Sequence, residues 1–275
     1  MEYRLARVNR VRRITPHMMR VSLTGEDLRK VKVDAKDAYI KLFFPREGEE
    51  RPVLPPPLTD DVSSWYRTYL QMPDDIRPPM RTYTIRAHRD DEVDIDFVLH
   101  GDVGPASKWA GRARPGDHVA FVGPAGLHSP PEDTDWQLLV GDETALPAIG
   151  AIVEDLPRGT RAHVYVEIDG PAEEQRLNTP GDVKITWVHR SGAHGAALLD
   201  AVRAATFPEG KPYAWVSGES GLVKEVRRHL VRERGVDKRA ITFTGYWRLG
   251  VNQEDESRQS LRDYELRNQA QPQGA

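Results

Sequence analysis

The chain contains no cysteine. That excludes disulfides, thiolate nucleophiles, Cys-ligated zinc and Cys-ligated iron–sulfur clusters, so any redox chemistry must run through a bound organic cofactor or the substrate. An excess of one charge is also missing. Thirty-nine Lys and Arg against 42 Asp and Glu give a formal net charge of −3, which offers no bulk attraction to nucleic acid and confines anion binding to local basic clusters. No apolar run approaches the roughly 18 residues of a membrane span. The basic N-terminal MEYRLARVNRVRR is followed by no apolar segment of the kind a secretory leader carries. There is no GxGxxG and no internal repeat. The expectation is a cytoplasmic monomer with neither nucleic acid nor membrane insertion among its partners. Its 275 residues suit two ordinary domains.

What is present falls into two rhythms. Up to about residue 130 the chain reads as short strands. MMRVSLTG (18–25) and DAYIKLFFP (37–45) alternate, and so do MRTYTIRAH (80–88), DEVDIDFVLHG (91–101) and DHVAFVGPAG (117–126). In the second of these, Ile40, Leu42 and Phe44 share one face and Tyr39, Lys41 and Phe43 the other. In DEVDIDFVLHG, Val93, Ile95, Phe97 and Leu99 oppose Asp94, Asp96, Val98 and His100. Turn signals such as RPGD (114–117) punctuate the run, predicting a small antiparallel β-barrel over residues 1–130. Residues 46–80, rich in proline and charge, form a long connection that reads equally as a lid or pocket rim or as a disordered insert.

From residue 131 strands alternate with helices: WQLLVGDE, ALPAIGAIVEDL, RAHVYVEI, VKITWVHR, GAALLDAVRAAT, YAWVSGES, GLVKEVRRHLVRERG and ITFTGYW. That order predicts a doubly wound parallel sheet over 131–275, ending in a polar tail that reads as a loose helix from Asn252. Ligands of such sheets lie beyond the carboxyl ends of the strands. GDETALPA (141–148), EIDGPAEE (167–174) and SGESG (217–221) occupy that edge. There Gly141 and Gly218 permit close backbone approach, while Glu143 and Glu219 suit ribose hydroxyls or a carboxamide better than a phosphate. Each loop alone is also what a plain strand–helix turn looks like. In HRSGAH (189–194), Arg190 could meet a 2′-phosphate. The two histidines read as solvated loop residues rather than metal ligands.

In the barrel, GPAS (104–107) has the form of a helix start. Gly104 supplies a turn, Pro105 the first helical position, Ser107 an early side-chain partner, and Lys108 a cation beside unsatisfied amides, together a seat for a pyrophosphate or simply a capped helix. Arg81 and Arg86 of MRTYTIRAH could equally guard an edge strand. Strict alternation sets Arg81 and Tyr83 on one face and Thr84 and Arg86 on the other, so one flat strand cannot present Arg81, Tyr83 and Thr84 together.

The order RTYT (81–84), DFVLHG (96–101), GPASKWA (104–110), PGD with VGPAG (115–126), GDETALPA, SGES and GYWRLG (245–250) resembles the siderophore-interacting proteins. These are FAD-dependent ferric-siderophore reductases of the ferredoxin-reductase superfamily, and the resemblance spans residues 3–250. It implies FAD in the barrel, with Arg81 on the pyrophosphate, Tyr83 stacked on the isoalloxazine and Thr84 near the flavin's reactive edge. Thr82, Asp96, Phe97, Val98, Leu99 and His100 would contact the cofactor largely through backbone, with His100 adding its side chain. Gly104, Ala106, Ser107 and Lys108 would seat the phosphates. Tyr246, Trp247 and Arg248 would cover the flavin. Asp142, Glu143, Thr144, Ala145, Arg190, Ser217, Gly218 and Glu219 look like the reduced nicotinamide site, for NADPH or NADH. Where plant-type ferredoxin reductases have Cys, this chain has Ser217.

The implied reaction passes electrons from a nicotinamide, or from ferredoxin, through flavin to iron(III) held by a siderophore. Lys41 matches a family lysine for that substrate, with Arg248 and Arg239 beside it as candidates. Family members carry Arg in the GPxG turn where this chain has Ala125, which implies a less anionic substrate such as a ferric hydroxamate. A general flavin or ferredoxin-type reductase and a non-catalytic siderophore carrier remain as alternatives.

Overall fold

A computed structural model describes residues 2–55, 62–99 and 104–251, with positions 258, 259 and 262 of the tail. The loose helix expected from Asn252 therefore lies mostly outside the described residues, as does His100. Strands β1 (Arg4–Thr15), β2 (Met18–Thr24), β3 (Tyr39–Phe43), β4 (Met80–Thr84), β5 (Ala87–Arg89), β6 (Glu92–Val98) and β7 (His118–Ala125) form one antiparallel sheet in the order β4-β3-β7-β1-β2-β6-β5. The sheet curls so that β4 and β6 come face to face. It encloses Val8, Val21, Leu42, Phe44, Ile95 and Phe121.

Strand β1 is absent from the sequence-based expectation. Five arginines in twelve residues hide it, yet Ala6 and Val8 point into the core while Arg7, Arg10, Arg12 and Arg13 stay exposed. Its neighbours β2 and β7 hydrogen-bond it from both sides, so pairing and not composition makes the strand. MRTYTIRAH is likewise two strands. The chain bends at Ile85 and Arg86, moving from β3 as partner to β6.

The long connection is a covering layer. Helix α1 (Val62–Gln71) lays Trp65 and Tyr69 over Phe43, Met80 and Val122 on the outside of the barrel, where the Trp65 indole donates to the Tyr3 hydroxyl at 2.6 Å. The outer face of β6 is covered too. Asp94 and Asp96 are as buried as their apolar neighbours because each has cationic or hydroxyl partners over it. Arg20 grips Asp96 at 2.6 and 2.7 Å through two nitrogens. Asp94 accepts from Ser22 at 2.6 Å and Arg89 at 2.8 Å. Burial alone would push the Asp94 carboxyl up, but the Ser22 and Arg89 hydrogen bonds hold it below the usual range.

Helix α2 (Pro105–Arg112) follows β6 and packs Trp109 between Phe44 and Phe97. Then come β8 (Trp136–Asp142), α3 (Leu146–Glu154), β9 (Arg161–Ile168), β10 (Asp182–His189), α4 (Ala196–Ala204), β11 (Pro212–Glu219), α5 (Ser220–Arg232) and β12 (Ile241–Trp247). Their sheet is parallel throughout, ordered β10-β9-β8-β11-β12, with apolar layers on both faces. The order reverses between β8 and β11, which places the crevice expected of this topology at Asp142 and Ser217.

The sheets are bound tightly to each other. Met18, the first residue of β2 at the end of the β1–β2 hairpin, sits in the core around Leu139 and Ile149. Asp37 accepts from the Leu127 and His128 amides at 2.8 Å and from the Trp215 indole at 2.9 Å. Arg86 reaches Glu154 of α3 at 2.7 Å, giving that side chain the structural role its sequence position allowed.

Candidate functional site

Two strand edges meet beside the start of α2. Among the described residues the ladder partner of β4 is β3, and that of β6 beyond Asp94 is β2, so the two strands turn their other edges toward each other. Tyr83 from β4 meets Phe97 from β6 with ring centroids 4.3 Å apart. Part of Tyr83 is exposed, yet its phenol is surrounded closely enough that burial pushes it well up despite the nearby Arg81 cation. The register with β3 runs without a bulge from Tyr39↔Thr84 to Phe43↔Met80. Arg81 and Tyr83 therefore share the face of Ile40 and Leu42, while Thr82 and Thr84 share that of Lys41. Side-chain access to one planar ligand from Arg81, Tyr83 and Thr84 together is not built into this strand.

At the start of α2, Gly104 has φ 92 and caps nothing with a side chain, which leaves the first amides of the helix to other partners. Ala106 and Ser107 are buried, and exposed Lys108 approaches Glu47 at 3.7 Å. An aromatic wall, two facing strand edges and a helix start without a side-chain cap, with a cation beside it, fit a flavin dinucleotide. The side chains of Asp96 and Phe97 are taken up by Arg20 and by the core, which leaves these two positions their backbone to offer a ligand. Val98 and Leu99 line a pocket of about 320 Å³ between the sheets, with His17 and Met18 on the same wall.

The opposite wall comes from the carboxyl edge of the parallel sheet, through Glu143, Asp169, Glu173 and Arg190. Arg190 is already engaged. Its guanidinium bonds Glu143, reaches Glu167 at 3.3 Å and lies 3.8 Å from Asp169. Burial pulls its pKa down, but these carboxylates outweigh that and raise it. His194 is not the solvated loop residue its neighbours in sequence suggest. It packs edge-on against Trp247 at 4.8 Å, within 3.6 to 4.0 Å of the Glu167, Asp142 and Glu143 carboxylates. His189 stays exposed and pairs with Glu174 at 2.8 Å. Among the described residues no group of three or more His, Asp or Glu is arranged to hold a metal.

Asp142 ends β8 with no exposure and collects four donors. Its Oδ1 accepts from the Thr144 amide (2.9 Å) and hydroxyl (2.5 Å), and its Oδ2 from the Glu219 amide (2.8 Å) and the Trp247 indole (3.0 Å). A Cβ on Gly218, at φ 132, would stand 2.6 Å from that carboxylate, so glycine is required there. Ala145 is wholly buried under the turn. Glu219 caps α5 by accepting from Leu222 N at 2.8 Å and so is committed to the fold. Nearby, burial drives the Tyr246 phenol well up, and the Ser217 and Thr84 hydroxyls beside it offset part of that push. Ser217 Oγ, fully buried, closes no hydrogen bond of ordinary geometry. Thr84 of the barrel and Ser217 of the parallel sheet are thus brought to one phenol.

Lys41 stands away from Arg81 and Tyr83. Its ammonium is 5.6 Å from the Tyr66 ring centroid and 3.5 Å from Thr82 Oγ1, and burial pulls its pKa down. Arg248 is exposed just past β12. Arg239 is not brought to this edge. It lies in the turn that precedes β12, at the amino end of the sheet, and a seven-residue strand separates it from Arg248 by roughly 20 Å. Of the pocket residues, Asp169 and Glu173 lie in the edge loop 167–174 that the sequence marks, whereas His17 and Met18 escaped sequence reading. A turn in β1–β2 and the loop after β9 meet only in the fold.

An antiparallel barrel with an open seam, joined to a parallel sheet whose switch point faces that seam, is the ferredoxin-reductase class of flavoprotein architecture. Residues 7–128 match the family described as siderophore-interacting FAD-binding domain, and residues 134–250 the one described as siderophore-interacting protein. The chain belongs to the siderophore-interacting protein family, and FAD is the cofactor of its barrel. It is 32% identical over 247 residues to a Vibrio cholerae protein named ferric vibriobactin reductase, covering 88% of each chain. It is 31% identical over 252 residues to an Escherichia coli protein named NADPH-dependent ferric-chelate reductase, covering 90% of this chain and 93% of that one. A solved structure of a siderophore utilization protein from T. fusca shares 38% identity with a TM-score of 0.78, over 91% of this chain and 94% of that chain. The relatives and the fold make this chain an oxidoreductase with a role in siderophore reduction or binding.

Proposed function

We propose that the chain is an FAD-dependent reductase that takes electrons from a reduced nicotinamide and delivers them to iron(III) in a siderophore, releasing iron(II). The observation that carries this reading is the pocket of about 320 Å³ in which Val98 and Leu99 of the barrel face Glu143 and Arg190 at the carboxyl edge of the parallel sheet. A donor held at the switch point would there face a cofactor held at the barrel seam. FAD accepts electrons in pairs and passes them on singly, the conversion that a nicotinamide donor and an iron(III) acceptor require.

The chain's own part is binding and placement. Tyr83, backed by the buried Phe97, supplies an aromatic wall, Arg81 and the start of α2 supply cationic and amide partners for phosphates, and Trp247 is held beside the crevice by Asp142. No side chain is asked to move a proton, because reduction alone weakens the hold of hard oxygen ligands on iron. Lys41 and Arg248 are the cations proposed to receive the chelate. Ala125, the last residue of β7 and paired with Tyr39, leaves that surface less basic, which favours a ferric hydroxamate over a tris-catecholate.

Purified protein reconstituted with FAD is expected to turn yellow and bleach anaerobically with a nicotinamide donor. It should then reduce ferric hydroxamates faster than ferric tris-catecholates, read with an iron(II) chelator. A protein that cannot be loaded with FAD, or whose reduced flavin passes electrons to free flavin or ferredoxin but to no ferric chelate, would overturn the reading. Faster reduction of the catecholate would overturn only the substrate class.

A further inference from the structure

The proposed reading leaves open which nicotinamide serves, and the side chains around Arg190 bear on that choice. On the parallel-sheet wall of the interdomain pocket, Arg190 is the only cation among the described residues, against the carboxylates of Glu143, Asp169 and Glu173. The barrel wall contributes one titratable group, His17, whose Nδ1 lies 3.4 Å from Asp169 and 3.5 Å from Glu173. Counting formal charges with His17 neutral, three carboxylates and one guanidinium leave the lining at −2.

Arg190 cannot redress that balance for a ligand. Its Nη2 is bonded to Glu143, its Nε is 3.3 Å from the fully buried Glu167, and its Nη1 is 3.8 Å from Asp169. Glu167 is itself fixed, accepting the Gly195 amide at 2.9 and 3.1 Å, so it cannot swing away to release the guanidinium. A phosphate entering here would have to separate an ion pair and then sit among carboxylates. A ribose diol makes no such demand. Its hydroxyls donate, and carboxylate oxygens are the acceptors that suit them.

We propose that this pocket accepts the unphosphorylated ribose of a dinucleotide and rejects a 2′-phosphate, so that NADH is the electron donor of this chain. The proposal rests on the nicotinamide reading given above. It reverses the part that the sequence suggests for Arg190, which acts here as a counter-ion to carboxylates and not as a phosphate ligand. That the Escherichia coli relative is named for NADPH does not decide the matter, because discrimination of a single phosphate lies in the few side chains that face it.

The test is calorimetric titration of the FAD-loaded protein with NAD⁺ and NADP⁺, alongside anaerobic flavin bleaching by NADH and NADPH. NAD⁺ is expected to bind at least about tenfold more tightly, with a matching preference for NADH in bleaching. Removing two of the competing carboxylates in Glu143→Gln/Asp169→Asn is expected to raise NADP⁺ affinity severalfold and to change NAD⁺ affinity less. Equal or tighter binding of NADP⁺ by the wild-type protein overturns the inference and leaves the reductase reading standing. Failure of both nucleotides to bind and to bleach the flavin overturns the inference together with the nicotinamide part of that reading, in favour of a protein electron donor.

Discussion

Four donors converge on the Asp142 carboxylate, and asparagine in its place would offer one oxygen and one NH₂ where two oxygens are needed. The NH₂ would face either the Thr144 pair or the Glu219 and Trp247 pair, and either way donors meet a donor in a site without water access. Asp142→Asn is therefore expected to cost about 2–3 kcal/mol in urea unfolding. It should also red-shift tryptophan emission as Trp247 loosens. A thermal or chemical stability equal to the wild type would show that Asp142 does not hold the crevice together. Its place at the end of an apolar strand made its loop legible as part of the sheet's carboxyl edge. Its partners were not legible, because Thr144, Glu219 and Trp247 come together only through strand order. The same holds for His194, whose loop looks solvated until Trp247 is folded against it.

Charged side chains cross the outer face of the barrel in a line that spans several elements. Arg10 lies 3.3 Å from Glu92, Glu92 2.9 Å from Arg89, and Arg89 2.8 Å from Asp94. Arg20 follows at 4.0 Å from Asp94 and 2.6 Å from Asp96, then Arg86 at 3.9 Å from Asp96 and 2.7 Å from Glu154 of α3. Burial deepens along it, from Arg10 with a 61% exposed side chain to Asp96 with 1%. The energetic weight should deepen in step. Arg20→Met, which strands a buried carboxylate, is expected to cost roughly 3–5 kcal/mol, while Arg10→Met should stay within about 0.5 kcal/mol. Denaturant unfolding of both variants in low salt checks the pair, and equal losses would refute the gradient.

This line is also where sequence and structure part. The alternation in β6 correctly sorts Val93, Ile95 and Phe97 inward, and it marks Asp94 and Asp96 as outward, which they are. It says nothing about what lies outside, and the arginines of β2 and β5 with α3 make that face an interior. For β1 the loss is greater, since five arginines conceal a strand that its two neighbours enforce. The β/α rhythm beyond residue 131 was legible element by element, because strands buried on both faces and amphipathic helices carry the strongest periodic signals.

Across the whole molecule, the two sheets share polar anchors as well as apolar surface. Thr15 and the His17 amide both donate to Glu173, Met18 enters the core of the parallel sheet, and Asp37 joins the barrel to the Trp215 indole. Taking the parallel sheet away would expose Met18 and strip the Trp215 indole from Asp37, and taking the barrel away would leave Glu173 without its Thr15 and His17 donors. The protein is accordingly expected to unfold in one cooperative transition, with calorimetric and van't Hoff enthalpies in agreement. Two resolved transitions would mean that the anchors are weak.

The insertion of the β1–β2 turn has a consequence for how such proteins can diversify. A barrel with a flavin seam and a parallel sheet with a donor crevice look like parts that recombination could trade between relatives. Met18 and its neighbours make them a matched pair, because the tip of one hairpin was shaped against the core of the other module. Grafting a new donor half onto this barrel would require that hairpin tip to travel with it.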